Sequence, residues 1–172
     1  LALRFEKDIE PVSVTGPDIW VDMDRYAGAL RAMVHVFRNA VTHGIETPEE
    51  REDAQKPPTG NVRCVLAMDG RKIRISISDD GRGVDVDAMR AKLGEDIAQG
   101  KSDQQIVDRI FEDGISTSET IDEISGRGVG LPALADAVRI LSGSIRAETV
   151  RGSGTTIVIE FPISSDTVVA HA

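Results

Sequence analysis

One cysteine, Cys64, stands alone in 172 residues. A single thiol closes no disulfide, and Cys64 lies inside an apolar alternation, so disulfide scaffolds and thiolate metal sites are excluded. Aromatic residues are only 3% and the net charge is -9. A broad nucleic-acid surface needs a basic face and stacking rings, so no nucleic-acid partner is expected. No apolar run is long enough to span a membrane, and no basic-plus-apolar leader opens the chain. This segment is therefore expected to make no membrane contact and to be cytoplasmic. It begins at Leu1 rather than methionine, which suggests a piece of a longer parent, membrane-anchored or not.

Hydrophobic residues at 40% and charged residues at 28% describe a soluble globular domain. A chain of this length buries roughly 70% of the surface it exposes when unfolded, so it needs no staples. One domain is expected over 1–165, with a frayed tail at 166–172.

Near the start, "VSVTG" and "IWVD" read as a strand pair joined by "GPD". From Asp24 to Thr42 the period becomes helical, with Tyr26, Leu30, Met33, Phe37, Ala40 and Val41 recurring at threes and fours. "TPEEREDAQKPPTG" (47–60) is a polar connection with room for one helical turn. "NVRCVLAM" and "KIRISISDD" alternate around "DG" at 69–70, a β-hairpin signal. Residues 85–110 read as two short helical pieces split near Gly100. Gly114 to Gly130 is Gly-, Ser- and Thr-rich, and a loop that long in a compact domain is functional or disordered. A helix follows from Pro132 to about Leu141, and "GSIRAETV" with "GTTIVIEFP" forms a second hairpin, Ile157, Ile159 and Phe161 inward. The order predicts an α+β two-layer sandwich, a mixed sheet with helices on one face.

Three stretches carry candidate chemistry. On the first helix, His35, Arg38, Asn39, Thr42 and His43 fall within an arc of roughly 140°. That arc holds an amide, a guanidinium and two imidazoles but no lysine or glutamate, the usual occupants of a solvated helix face. It is either an ordinary wet face or a row of ligands. "SDDGRGVD" (78–85) ends a strand with Asp79, then Gly81 and Gly83. It suits a surface turn, and equally a turn whose backbone lies open to a flat ligand; the later glutamate of an EF-hand is missing. "SGRGVGLP" (125–132) sets Gly126, Gly128 and Gly130 before a helix, where free N–H groups receive phosphate. It is no Walker loop, and the polar "ETIDEI" before it makes a poor Rossmann fingerprint.

Taken in order, these pieces resemble the GHKL ATP-binding superfamily of gyrase, chaperone, mismatch-repair and histidine-kinase ATPases. The catalytic domain of CheA-type histidine kinases is nearer still. Its signatures look like "HLVRNxxDHGIExPExR", "DDGRG" and "FxxGFST…SGRGVGM"; here they are "HVFRNAVTHGIETPEER", "DDGRG" and "IFEDGISTSETIDEISGRGVGL". The resemblance runs from about residue 5 to 163. Departures are Thr42 for the usual Asp, Ile115 for Phe, and "GVGLPALADAV" for "GVGMDVV".

The resemblance implies the Bergerat fold, a mostly antiparallel sheet covered on one face, and ATP with Mg²⁺ as ligands. Asn39 matches the metal-holding asparagine; Mg²⁺ takes one or two oxygens from protein and the rest from phosphates and water. Asp79 matches the adenine reader, an acceptor suited to the exocyclic amine. Arg38 and His43 match positions on the phosphate side. Gly126, Arg127, Gly128, Val129 and Gly130 match the lid, and Thr155 and Thr156 lie near the purine in relatives. His35 stands where hydrolysing members carry a glutamate, as in CheA-type kinases, and could take or orient a proton. The implied activity is transfer of the ATP γ-phosphoryl to a histidine on another domain, of HPt or dimerisation type, with a response regulator downstream. The alternatives are a nucleotide-binding pseudokinase scaffold and an anti-sigma-type serine kinase or ATPase. Of the three histidines, His35 and His43 belong to the nucleotide row and His171 to the tail, so the acceptor is expected outside this segment.

Overall fold

The two alternating runs at 62–79 form the middle of the molecule. In the computed structural model, which describes residues 2–69, 71–112, 130–163 and 168–169, β3 (Val62–Asp69) and β4 (Lys72–Asp79) pair antiparallel over their full length. β6 (Gly154–Pro162) lies along the other side of β4, and β5 (Ser144–Val150) pairs with β6. β1 (Ser13–Thr15) completes the sheet beside β3 and is its one parallel partner, giving the order β1-β3-β4-β6-β5. The alternation then sorts the two faces. Val62, Cys64, Ile73, Ile75, Ile77, Ala147, Ile157, Ile159 and Phe161 are buried on one. Arg74 and Glu160 are cross-strand partners on the other, Nε donating to Oε1 at 2.9 Å.

Two helices cover the apolar face. α1 (Met23–Asn39) starts on Asp22, whose carboxylate accepts from the Asp24 N–H at 3.0 Å. α6 (Leu131–Ile140), with proline in its first turn, packs against α1. Tyr26 of α1 meets Phe161 edge-on, ring centroids 5.6 Å apart. The mixed sheet with helices on one face is the predicted two-layer α+β architecture. Three shorter helices, α3 (Val86–Leu93), α4 (Glu95–Ala98) and α5 (Asp103–Val107), build a satellite cluster around Met89, Ala98 and Ile106. The break falls at Gly94 as well as Gly100, so the predicted two pieces are three, followed by a 3₁₀ turn at Asp108–Phe111.

Other expectations are corrected. β1 and β2 (Ile19–Trp20) are not a pair: β1 joins β3, and β2 joins β7 (Val168–Val169). The segment expected to fray therefore supplies a strand at 168–169. Local turn chemistry had suggested a hairpin at "GPD", but tertiary partners for each strand outcompete it. On α1 the buried stripe is Tyr26, Ala29, Ala32 and Val36, continued by Ala40 just beyond it, while Leu30, Met33 and Phe37 pack at its margin. The alanines let the helix approach the sheet closely, and Leu30, Met33 and Phe37 lie at the edge of that contact. The loop read at 114–130 lies outside the described residues up to 129. Among the described residues, no helix is long and apolar enough to cross a membrane.

Candidate functional site

α1 does not stop cleanly at Asn39. Ala40–Gly44 continues it as a π-helical turn, the Ile45 N–H reaching back five residues to the Ala40 carbonyl at 2.8 Å. Single π turns inside helices recur at functional sites because the extra residue re-aims side chains. The loosened end is held from outside. Lys7, buried, donates from Nζ to the Val41 and Thr42 carbonyls at 2.9 and 2.8 Å. A cation at orphan C-terminal carbonyls is favoured by the helix dipole. Burial draws the Lys7 ammonium below its ordinary pKa.

The π turn rests on β4 and β6, and this brings Gly44 against the carboxylate of Asp79. A Cβ added at 44 would stand 3.1 Å from Asp79 Oδ1. The turn after Asp79 folds over the same glycine: the Arg82 N–H donates to the Gly44 carbonyl at 2.9 Å. At Gly81 the approach is closer still, since an added Cβ would collide with that carbonyl and lie 2.8 Å from Ile45 N. Backbone there meets backbone, which cannot rotate away. Gly81→Ala is expected to cost about 3 kcal/mol of stability, measurable by urea unfolding; a loss below about 0.5 kcal/mol, ordinary for a surface site, would refute this packing.

Asp79 sits at the end of β4, half-buried, facing the helices because it shares the register of Ile75 and Ile77. Its Oδ1 accepts from the Gly81 N–H at 2.9 Å, and the carboxylate also accepts from the Thr155 backbone N–H. Burial pushes its pKa up to about 6, and the nearby carboxylates Asp80 and Glu46 push the same way, against those two donors. A strand-end acid with a raised pKa in a glycine-lined recess is a candidate ligand reader.

The remaining predicted residues divide clearly. His35, Arg38 and Asn39 are half-buried and His43 is exposed, all on α1 or its π turn. Gly83, at φ +72°, carries the chain past the end of β5, where the Val84 N–H donates to Thr149 Oγ1 at 2.9 Å. Thr155 belongs to the site through its backbone, and its hydroxyl shares a hydrogen bond with Thr149 at 3.2 Å. Thr156 does not: it pairs with Ser78, and strand alternation puts both on the opposite face from Asp79 and Ile157. Gly130 precedes α6; Gly126, Arg127, Gly128 and Val129 lie outside the described residues.

Sequence reasoning gave no role to Gly44, Gly154, Glu46, Arg51, Lys56 or Asp80, which surround the same turn. Four of these had a signal, since "HGIETPEER" contains Gly44, Glu46 and Arg51, and "DDGRG" contains Asp80. Gly154, at φ +110°, stands where an added Cβ would collide with the Asp79 carbonyl. Among the described residues no group of three or more His, Cys, Asp or Glu could hold a metal. Asn39 offers an amide oxygen, a donor type that a magnesium ion held mainly by phosphate oxygens and water would accept.

A five-stranded mixed sheet thus lies under two helices, with a strand-end acid beneath the helix that carries the Asn39 amide. The chain belongs to the histidine kinase-, DNA gyrase B- and HSP90-like ATPase family, whose profile matches residues 28–165. It is 35% identical to the chemotaxis protein CheA of Halobacterium salinarum over 170 residues, 95% of this chain and 25% of that one. It is 36% identical to the sensor histidine kinase CheAY of Helicobacter pylori, covering 95% of this chain and 21% of that protein. The chain thus spans about a quarter of the length of these relatives. Among solved structures, full-length ShkA in complex with AMPPNP aligns with a TM-score of 0.58 at 24% identity, over 99% of this chain and 28% of that one. The mycobacterial sensor histidine kinase MprB aligns at 0.54 and 23% identity, over 94% and 88%. These structural likenesses establish the shared fold.

Proposed function

We propose that this chain is the ATP-binding catalytic domain of a CheA-like histidine kinase, which passes the γ-phosphoryl group of ATP to a histidine on a separate domain. The observation that carries the reading is the Asp79 recess: a half-buried acceptor, flanked by Gly44, Gly81 and Gly154, under the end of the helix that bears Asn39. The likeness to CheA and CheAY supports the kinase class within the family.

In this reading Asp79 accepts from the exocyclic amine of adenine, and the glycines around it leave room for a flat ring. Guanine presents a carbonyl oxygen there, which a carboxylate repels. Asn39 would hold a magnesium ion, which would supply positive charge to the phosphates when bound. Arg38 and His43 would face the phosphates, and Gly126, Arg127, Gly128, Val129 and Gly130 correspond in sequence to the family's phosphate lid. His35 lies one helical turn before Asn39. It positions the incoming imidazole or accepts its proton as the phosphorus–nitrogen bond forms and the bond to ADP breaks. The acceptor is a histidine domain of HPt or dimerisation type, and a response regulator takes the group onward.

The test is to incubate the full-length protein, or this chain with its parent's histidine domain, with γ-labelled ATP and magnesium. Acid-labile, base-stable label on that domain is the expected result. Acid-stable label on serine would favour the serine-kinase alternative, and nucleotide binding without any label would favour a scaffold.

A further inference from the structure

Beside the Asp79 turn lies a set of charges, Arg51 and Glu46 buried and Lys56 and Asp80 partly so, that the proposed reaction does not use. Arg51, at 0% exposure, is the largest fully buried side chain among the described residues. It comes from α2 (Pro48–Asp53), a six-residue helix fixed by a reciprocal capping box between Thr47 and Glu50 with proline in the first turn. Its guanidinium donates to the Glu46 carboxylate at 3.1 Å and to Asp80 Oδ2 at 2.9 Å. It also donates to the carbonyls of Pro57 at 2.6 Å and Asp80 at 3.3 Å. Lys56 closes the set from the other side, its Nζ reaching Glu46 at 2.7 Å, the Asp80 carbonyl at 3.0 Å and the Gly81 carbonyl at 2.7 Å. Asp80 Oδ1 in turn accepts from the Asn61 N–H at 2.9 Å.

Two cations and two carboxylates balance, so the cluster is neutral overall. Buried ion pairs seldom add net stability over apolar packing, because desolvation offsets the attraction. What this one does add is direction. It grips both peptide carbonyls of a turn whose Gly81 and Gly83 would otherwise leave it loose, and that turn carries the Asp79 carboxylate at its lip. Binding sites need a supporting layer that locks the geometry of the group touching the ligand.

We infer that Arg51, with Glu46 and Lys56, is a positioning unit for base recognition: it fixes the Asp80 and Gly81 peptides so that Asp79 meets the purine at a set angle. The inference rests on the reading of Asp79 as the adenine acceptor. It assigns Arg51 no part in phosphate binding, since the side chain is fully buried and its guanidinium is taken up by Glu46, Pro57, Thr59 and Asp80.

Arg51→Lys keeps the charge but loses the five-donor fork. Calorimetry on the full-length protein would compare ATP, GTP and inorganic tripolyphosphate, with thermal melting as the folding check. In the folded variant, the preference for ATP over GTP should shrink by about tenfold, the value of one well-aimed charged hydrogen bond. Affinity for tripolyphosphate should stay that of the wild type. Equal losses for ATP and tripolyphosphate would mean general destabilisation, and an unchanged ATP preference would mean no positioning; either overturns the inference. If the wild type itself fails to prefer ATP over GTP, the assignment of Asp79 fails, and the inference with it. Should Arg51→Lys not melt cooperatively, Lys56→Gln removes the grip on the same two carbonyls from a more accessible position and is judged by the same criteria.

Discussion

Asn39→Ala is expected to abolish the magnesium-dependent part of ATP affinity while the protein still folds. The amide closes α1 just before the π turn, half-buried, and its oxygen is the hard donor that the arc of His35, Arg38, Asn39 and His43 offers. A magnesium ion keeps most of its shell as water and phosphate, so a single protein oxygen can decide where it sits. Loss of groups that merely support a metal ligand already costs about 10- to 100-fold in affinity. Loss of the ligand itself should reach the upper end of that range. Alanine is the better helix former, so the change in stability should stay within about 1 kcal/mol. Titrations of ATP with and without magnesium separate the two effects: in the variant the curves should coincide. Wild-type enhancement by magnesium in Asn39→Ala would remove this residue from the metal site.

Asp79→Asn should move affinity and stability in opposite directions. The folded-state pKa of about 6 lies above the usual 3.8, so the folded protein binds this proton more tightly than the unfolded chain does. The stability this confers is complete below about pH 3.8 and is lost as pH rises through about 6. By pH 7 the ionised carboxylate costs roughly 3 kcal/mol relative to acid conditions, at 1.36 kcal/mol per pH unit. Asparagine never ionises, so the variant should be about 2–3 kcal/mol more stable at pH 7.5 and should lack this pH dependence between 4 and 6. The same change removes a charge-assisted acceptor worth about 1.5–3 kcal/mol, a fall in ATP affinity of roughly 10- to 100-fold. Urea unfolding across pH and calorimetry at pH 7.5 read both. A variant that binds ATP as before, or gains no stability at neutral pH, contradicts the role given to this carboxylate. On the proposed reading of Asp79, its raised pKa is stability conceded for function.

The sequence was most informative where its signals are local. Alternation in "NVRCVLAM" and "KIRISISDD" specified β3 and β4 with the right faces, because a strand's side chains change sides at every residue. Asp79 at a strand end, and Asn39 on the polar arc of a helix, were legible for the same reason. The motifs around them were legible because the family spells them in one order, and the fold that order implied is the one observed. Less legible was anything that depends on which distant segments meet. β1 and β2 looked like partners because a turn signal joined them, yet β1 pairs with β3 and β2 with β7.

Residue types and periods thus determined the layers and the strand faces, since these follow from backbone geometry within a few residues, while the resemblance to a known family singled out the candidate ligands. Only the tertiary structure decided that α1 widens into a π turn at Ala40, and that Gly44, Asp79 and Gly154 close on one recess. It alone decided that Arg51 is buried beside that recess and that Thr156 faces away from it. Those outcomes rest on contacts between residues tens of positions apart, fixed by sheet register and close backbone approach, and no local pattern encodes them.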